Sequence, residues 1–106
     1  LLEDAKQQLF DKFKQRSEDI IFSSLPQNMQ LEYQKKEFKK VLRIAAILLK
    51  RDPLHESALL YSIHAYNQLN DYENLSKIYA KFIMEYRRTM GEDYKHSLEA
   101  LLSRNV

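Results

Sequence analysis

The residues of this chain that most often carry out chemistry are dispersed along it. His55, His64 and His96 are far apart, and no two of them lie four residues apart on one helix face, the spacing of a helical zinc-binding pair. The chain has no Cys, which excludes thiolate zinc sites, disulfides and cysteine nucleophiles. It contains neither a Gly-rich phosphate loop nor a Ser/His/Asp order. The sequence therefore predicts a non-enzymatic domain with no catalytic, metal-binding or cofactor-binding residues.

A basic cluster on one predicted helix is the next candidate site. Its core members are Lys35, Lys36, Lys39, Lys40 and Arg43, and Lys50 and Arg51 follow on the same helix. Such a face suits phosphate or an acidic partner. However, acidic residues interrupt the cluster and the net charge of the chain is only +2, so we favour a solvated helix surface. Direct nucleic-acid binding by this face is the alternative.

Composition indicates one helical domain spanning residues 1–106. The chain is 44% hydrophobic and 30% charged, as in ordinary globular proteins, and its one Gly and two Pro are too few for the many turns of a strand-rich fold. No apolar run approaches the roughly 20 residues that span a membrane. With the absence of Cys, this predicts a cytoplasmic protein without a membrane partner. The first residues, LLEDAKQQ, lack Met and a signal pattern, so we expect a fragment of a longer protein.

Apolar residues spaced three, four and seven apart predict five helices. In chain order, the predicted spans are 1–23, a second helix that starts between 28 and 36 and ends near 50, then 53–69, 72–90 and about 93–103. Residues 23–28 are predicted to form a loop, because Pro26 disfavours helix at the preceding residue. Leu31 and Tyr33 fit either a loop or the first turn of the second helix. The residues of the third helix expected to face inward are Leu59, Leu60, Ile63, Tyr66 and Leu69.

Four residues are predicted to cap helices. Asp52 is the expected N-cap of the third helix, and Pro53 is expected at its first position, where the missing N–H is harmless. Glu56 lies near the same helix start, where a negative charge suits the helix dipole. Gly91, the only glycine, is expected to end the fourth helix with a positive φ.

Two of the predicted helices are related by a fixed offset. KKEFKKVLRIAAILL aligns with LNDYENLSKIYAKFI, which pairs Phe38 with Tyr72 and Leu48 with Phe82. The offset, 72 − 38 = 34 residues, is the tetratricopeptide period. Hairpins with this period stack because one hairpin cannot bury its apolar face alone. The sequence thus predicts an all-α, tetratricopeptide-like array of about five helices (an α-α superhelix). An unrelated helical bundle with a chance offset is the alternative.

A tetratricopeptide array has a concave groove lined by the first helix of each hairpin, which suits a peptide ligand. By the repeat register, the residues expected to face it are Ser57, Leu60, His64, Asn67 and Gln68. A packing role for these positions, with the first helix covering the groove, is the alternative. His64 is expected in the groove or at the surface.

The segment 51–102 resembles the bacterial transcriptional activator domain of SARP-type regulators. The matching motifs are Asp52-Pro53-Leu54-His55-Glu56, Asn70-Asp71-Tyr72 and Met90-Gly91-Glu92. The chain departs from the family pattern at Asn70, in place of a turn glycine, and at Asp93-Tyr94. The resemblance implies a fragment of a transcriptional regulator that functions in signal transduction and whose DNA binding belongs to another domain. It implies protein partners: a second copy, another regulator or the transcription machinery. A generic tetratricopeptide adaptor unrelated to transcription is the alternative.

Overall fold

A computed structural model describes residues 24–106, and within this range the chain forms five helices and no strand. Helix α1 covers 24–34, and it is followed by α2 (Phe38–Arg51), α3 (Glu56–Gln68), α4 (Tyr72–Met90) and α5 (Leu98–Ser103). The predicted all-α array is therefore confirmed. The helix predicted over 1–23 lies outside the described residues.

Helix α3 is at the centre of the array and packs against α2, α4 and α5. Its residues contribute to two apolar clusters, one on each side of the helix. Ala58 and Ala65 are fully buried in the first cluster, with residues of α1 and α2, whereas Leu59 and Ile63 are buried in the second, with residues of α4 and α5. Small side chains on one side of α3 allow close approach of α2, and the large side chains on the other fill the space beneath α4.

The two helix hairpins are equivalent at an offset of 34 residues. Helices α2 and α4 begin at 38 and 72, and α1 and α3 end at 34 and 68. Lys36 and Asn70 hold equivalent turn positions in the left-handed region, with φ of 63° and 57°. Their N–H groups donate to the carbonyl oxygens of Tyr33 (2.9 Å) and Asn67 (3.1 Å), which are themselves 34 residues apart. The repeat inferred from side-chain types is thus also a repeat of backbone geometry.

The equivalence extends to the bonds on either side of these turns. The N–H of Glu37 donates to the carbonyl oxygen of Glu32 (2.9 Å), and Asp71 donates to Tyr66 in the same way (2.9 Å). The residues that follow these turns differ in their capping chemistry. Asp71 accepts a bond from the N–H of Asn74 at 3.3 Å, whereas Glu37 makes no side-chain cap bond. The second hairpin therefore has the better-capped second helix.

The predicted loop at 23–28 is wrong over the described residues, since 24–34 are helical and Pro26 lies within that helix. Packing explains the difference. Met29 is fully buried in the first cluster and Leu25 packs against it, and the burial of these apolar side chains favours the helix despite the proline. Leu31 and Tyr33 belong to this helix and not to α2, which begins only after the left-handed turn residue.

The predicted start of the third helix is also wrong, because α3 begins at Glu56 and not at Pro53. The N-cap is His55, whose Nδ1 accepts a bond from the N–H of Ala58 at 3.1 Å. Asp52 instead follows the last residue of α2, and its Oδ1 accepts from the N–H of Leu54 at 3.1 Å. An aspartate that bonds the backbone two residues on forms a local turn, which competes with capping a helix. Glu56 lies in the first turn, as expected.

The end of the array agrees with the expected Gly91 cap but not with the expected fifth helix. Gly91 ends α4 with a φ of 74°. Helix α5 begins at Leu98, with Ser97 as its N-cap, and is shorter than the predicted 93–103. Tyr94 precedes this helix and its ring contacts that of Phe82, with centroids 5.0 Å apart. Leu69, which was expected to face inward, is 40% exposed because it lies in the turn beyond α3.

Candidate protein-interaction site

The three histidines have separate structural settings. His55 caps α3, His64 is buried between helices, and His96 lies beside Arg104, with its Nε2 3.2 Å from a guanidinium nitrogen. Across residues 24–106, no group of three His, Asp or Glu side chains is placed to hold a metal ion. In the same range, no helix is both long enough and apolar enough to cross a membrane.

The five predicted groove residues do not share one exposed surface. Ser57 and Gln68 are exposed, Leu60 and Asn67 are half-buried, and His64 is only 8% exposed. Leu60 packs against the second apolar cluster. These residues do share one side of α3, but that side is partly covered in the folded chain. The prediction of an open groove lined by all five is therefore wrong.

His64 links α3 to its neighbours on two sides. Its Nε2 lies 3.0 Å from the carbonyl oxygen of Leu101 in α5, and its ring meets the Tyr33 ring of α1 edge-on, with centroids 6.4 Å apart. The expectation that His64 faces a groove or the surface is therefore wrong, because its side chain is packed between α1 and α5. A histidine suits this position because its ring packs as an apolar group while one nitrogen satisfies a buried carbonyl.

The predicted basic face is exposed. All five of its members, Lys35, Lys36, Lys39, Lys40 and Arg43, are solvent-accessible. Lys35 lies 3.9 Å from the Glu32 carboxylate, at the limit of an ion pair, and Lys36 lies in the turn before α2 and not on the helix itself. Exposure of this kind is expected both of a solvated surface and of a site for an acidic ligand.

Four tyrosine hydroxyls act as packing groups and not as bases. Burial, and next the negative charge of Glu56, raise the pKa of Tyr94 to about 12, and the hydroxyl donates to that carboxylate at 3.3 Å. Burial also raises the pKa of Tyr61, Tyr66 and Tyr79. The Tyr79 hydroxyl donates to the carbonyl oxygen of His96 at 2.6 Å. All four hydroxyls stay protonated at neutral pH, and those of Tyr79 and Tyr94 link separate segments as hydrogen-bond donors.

An open cavity of about 280 Å³ lies between α2 and α4, above α3. We call it the interhelix cavity. Its apolar lining residues are Ala46, Leu49, Pro53, Leu59, Ile78 and Phe82, and Lys50, Lys81 and Glu85 complete the lining. The cavity exists because α2 and α4 both pack on α3 while making few contacts with each other. Of the residues predicted to bind a ligand, Lys50, which follows the core of the predicted basic cluster, lines it, and the five predicted groove residues do not.

A second candidate surface lies on α4, on the side away from the interhelix cavity. We call this surface the α4 edge, and its residues are Tyr72, Ala80, Ile83, Met84 and Met90. Tyr72, Met84 and Met90 are 58%, 72% and 54% exposed, and they are three of the six exposed large apolar side chains in the described range. These three side chains are spaced along the whole of α4, from its first residue to its last, so they offer a long strip for a partner helix to follow.

The repeat relates part of the α4 edge to the side of α2 that lines the interhelix cavity. Subtracting 34 from Ala80 and Ile83 gives Ala46 and Leu49, which are the α2 residues that face α4 across the interhelix cavity. The part of the α4 edge at Ala80 and Ile83 is therefore the repeat equivalent of the side of α2 that faces the next hairpin. The repeat signal in the sequence contains this information, but locating the edge requires knowing which side of α2 faces α4.

Comparisons with protein-family models, with curated proteins and with solved structures find no match. The resemblance to the bacterial transcriptional activator domain therefore stays a prediction. One of its departures is structurally compatible with the family pattern: Asn70 stands in place of a turn glycine and adopts a φ of 57°, in the left-handed region that glycine favours.

Proposed function

We propose that this chain is a non-enzymatic protein-interaction and oligomerisation domain, in which the α4 edge packs against the α4 edge of a second copy. The observation that carries the proposal is the repeat equivalence of the α4 edge with the side of α2 that faces the next hairpin. In a stacked array each such surface faces the next hairpin, as that of α2 faces α4, and the last one is left without a following hairpin in the described range. Its uncovered end is then suited to another helix.

The composition of the α4 edge supports the proposal. Met84 and Met90 are flexible and polarizable, which suits a surface that must adapt to a partner. Ala80 is small and allows a second helix to approach closely. Complete burial of one large side chain such as Met84 contributes about 1.5–3 kcal/mol, whereas association costs about 4–15 kcal/mol in lost translational and rotational freedom. Several residues of the α4 edge must therefore be buried together on both copies for association at millimolar concentration or below.

We also propose that the domain belongs to a cytoplasmic bacterial transcriptional regulator whose DNA binding is supplied by another domain. The support is the set of motifs between Asp52 and Glu92. A generic tetratricopeptide adaptor would have the same fold, and the parent gene separates the two possibilities. A winged-helix region encoded there favours the regulator, and a parent gene without a DNA-binding domain favours the adaptor.

Cross-linking tests which surface associates. Because the chain has no Cys, Met84→Cys introduces a single thiol on the α4 edge, and Ile47→Cys introduces a matched single thiol on α2, where Ile47 is 47% exposed. With a short bis-maleimide reagent, we expect a covalent dimer from Met84→Cys and little from Ile47→Cys. Equal yields from both variants would contradict association through the α4 edge.

A further inference from the structure

We propose that the interhelix cavity is a second binding site, which takes an apolar side chain from a partner peptide that carries carboxylates beside that side chain. The site is independent of the α4 edge, because it uses the other side of α4, with Ile78, Lys81 and Phe82. It therefore adds a binding activity for an acidic peptide to the proposed association between copies.

The shape of the cavity fits one or two side chains. Its floor is Leu59, which is 1% exposed, and Leu49 and Phe82 form facing walls on α2 and α4. Its volume of about 280 Å³ corresponds to the small end of the range of roughly 300–1,000 Å³ typical of ligand pockets. A long acyl chain would need a deeper tunnel, because the Leu59 side chain closes the floor. A peptide can lie across the opening and insert one aliphatic or aromatic residue.

The charges around the opening favour an acidic partner. Lys50 on α2 and Lys81 on α4 line the cavity on opposite helices, and no described carboxylate lies within ion-pair distance of either ammonium group. The third charged residue is Glu85, whose Oε2 is bound by an Arg88 guanidinium nitrogen at 2.6 Å. The ion pair offsets the Glu85 charge, so the two lysines dominate the local field. Complementary charge of this kind contributes mainly to specificity and to the rate of association.

An NMR titration of the 106-residue chain tests the proposal with defined probes. The probe is a capped synthetic peptide in which one Phe is flanked on both sides by Asp. Two matched peptides replace either the Phe with Ala or the Asp residues with Lys. We expect the acidic Phe peptide to shift the amide signals of Leu49, Ile78 and Phe82 in a saturable manner. We expect both matched peptides to bind at least about tenfold more weakly, since each lacks one of the two required features.

Variants assign the binding to the cavity. The double variant Lys50→Glu with Lys81→Glu is expected to lower the affinity for the acidic peptide by at least about tenfold, because two attractive charges become repulsive. The matched control is Lys39→Glu with Lys40→Glu, which makes the same charge change on two exposed lysines of α2 outside the cavity lining. It should leave the affinity for the acidic peptide within about twofold of the wild-type value. Ala46→Trp fills the cavity from its α2 wall and should abolish the shifts, with circular dichroism confirming the helical fold.

Several results would overturn the proposal. They are equal affinity for the Asp-flanked and Lys-flanked peptides, equal weakening by the two double lysine variants, and shifts confined to residues outside the cavity. Octanoate that binds the same residues as tightly as the peptide would show a site for a free amphipathic carboxylate. Nuclear Overhauser contacts from residues 1–23 into the cavity of the free protein would show that the chain supplies its own occupant.

Discussion

Exchanging the residue types of the two equivalent hairpin turns should change the stability of the domain in opposite directions. Lys36 and Asn70 hold the same left-handed conformation, with φ of 63° and 57°, but asparagine adopts that conformation more readily than lysine does. We therefore expect Lys36→Asn to stabilise the domain and Asn70→Lys to destabilise it. The two positions have equivalent backbone hydrogen bonds, so the comparison depends mainly on the conformational preference of the residue.

The magnitude follows from the cost of the left-handed region. An ordinary L-residue has a cost of about 1–2 kcal/mol there, and asparagine offsets part of it through local hydrogen bonds. We expect each substitution to change the free energy of unfolding by about 0.5–1 kcal/mol, in opposite directions. This corresponds to about 2–8 °C in Tm for a domain of this size. Asn70 also accepts a bond from the Tyr72 hydroxyl at 3.0 Å, so its replacement should have the slightly larger effect.

Urea unfolding followed by far-UV circular dichroism measures these changes. Lys35→Asn is the control, because Lys35 is adjacent and exposed but has no positive φ. It should change stability little. The double variant Lys36→Asn with Asn70→Lys should lie near the wild type if the two turns are independent. Destabilisation by Lys36→Asn, or a shift of both single variants in the same direction, would refute the equivalence of the turns.

Three further predictions concern the caps and the C-terminal packing. Gly91→Ala should lower the free energy of unfolding by about 1 kcal/mol, because alanine is strained at a φ of 74°. An added Cβ meets nothing within 4 Å, so no steric clash adds to this strain, and thermal denaturation measures the loss. His64→Phe should cost about 1 kcal/mol in urea unfolding through the lost bond to the Leu101 carbonyl. The pKa of Tyr94 is raised to about 12, above the unfolded value of 10, so its contribution to stability should be lost as pH rises through that interval. In Tyr94→Phe, the free energy of unfolding should fall less steeply with pH across that interval. An unchanged pH dependence would contradict the assignment of this loss to the Tyr94 hydroxyl.

The repeat could be predicted from sequence because apolar periodicity and the turn residues agree. The 34-residue offset between Phe38 and Tyr72 matches the starts of α2 and α4, and α4 ends where Gly91 was expected to end it. The region around Pro26 could not be predicted, because the helix there is favoured by the burial of Met29 against α2, a contact between hairpin helices that local preference does not contain.

The candidate sites were less predictable than the fold. Residues on one side of α3 were expected to line a groove, but whether that side is open depends on where α1 and α5 pack, and His64 is covered by both. The interhelix cavity depends on the gap between α2 and α4, which no single segment specifies. Its Lys50 belongs to the predicted basic cluster, whereas nothing in the sequence distinguishes Lys81 from other exposed helix lysines.

Sedimentation equilibrium of the chain and of a variant with a charged α4 edge tests the central functional claim most directly. We expect the apparent mass of the wild type to rise above 12.7 kDa with concentration, and that of Ala80→Glu with Met84→Lys to stay at 12.7 kDa. Ile47→Lys, on α2, should behave as the wild type. A wild type that stays at 12.7 kDa up to millimolar concentration, or a dimer that survives the α4 edge substitutions, would contradict association through this surface.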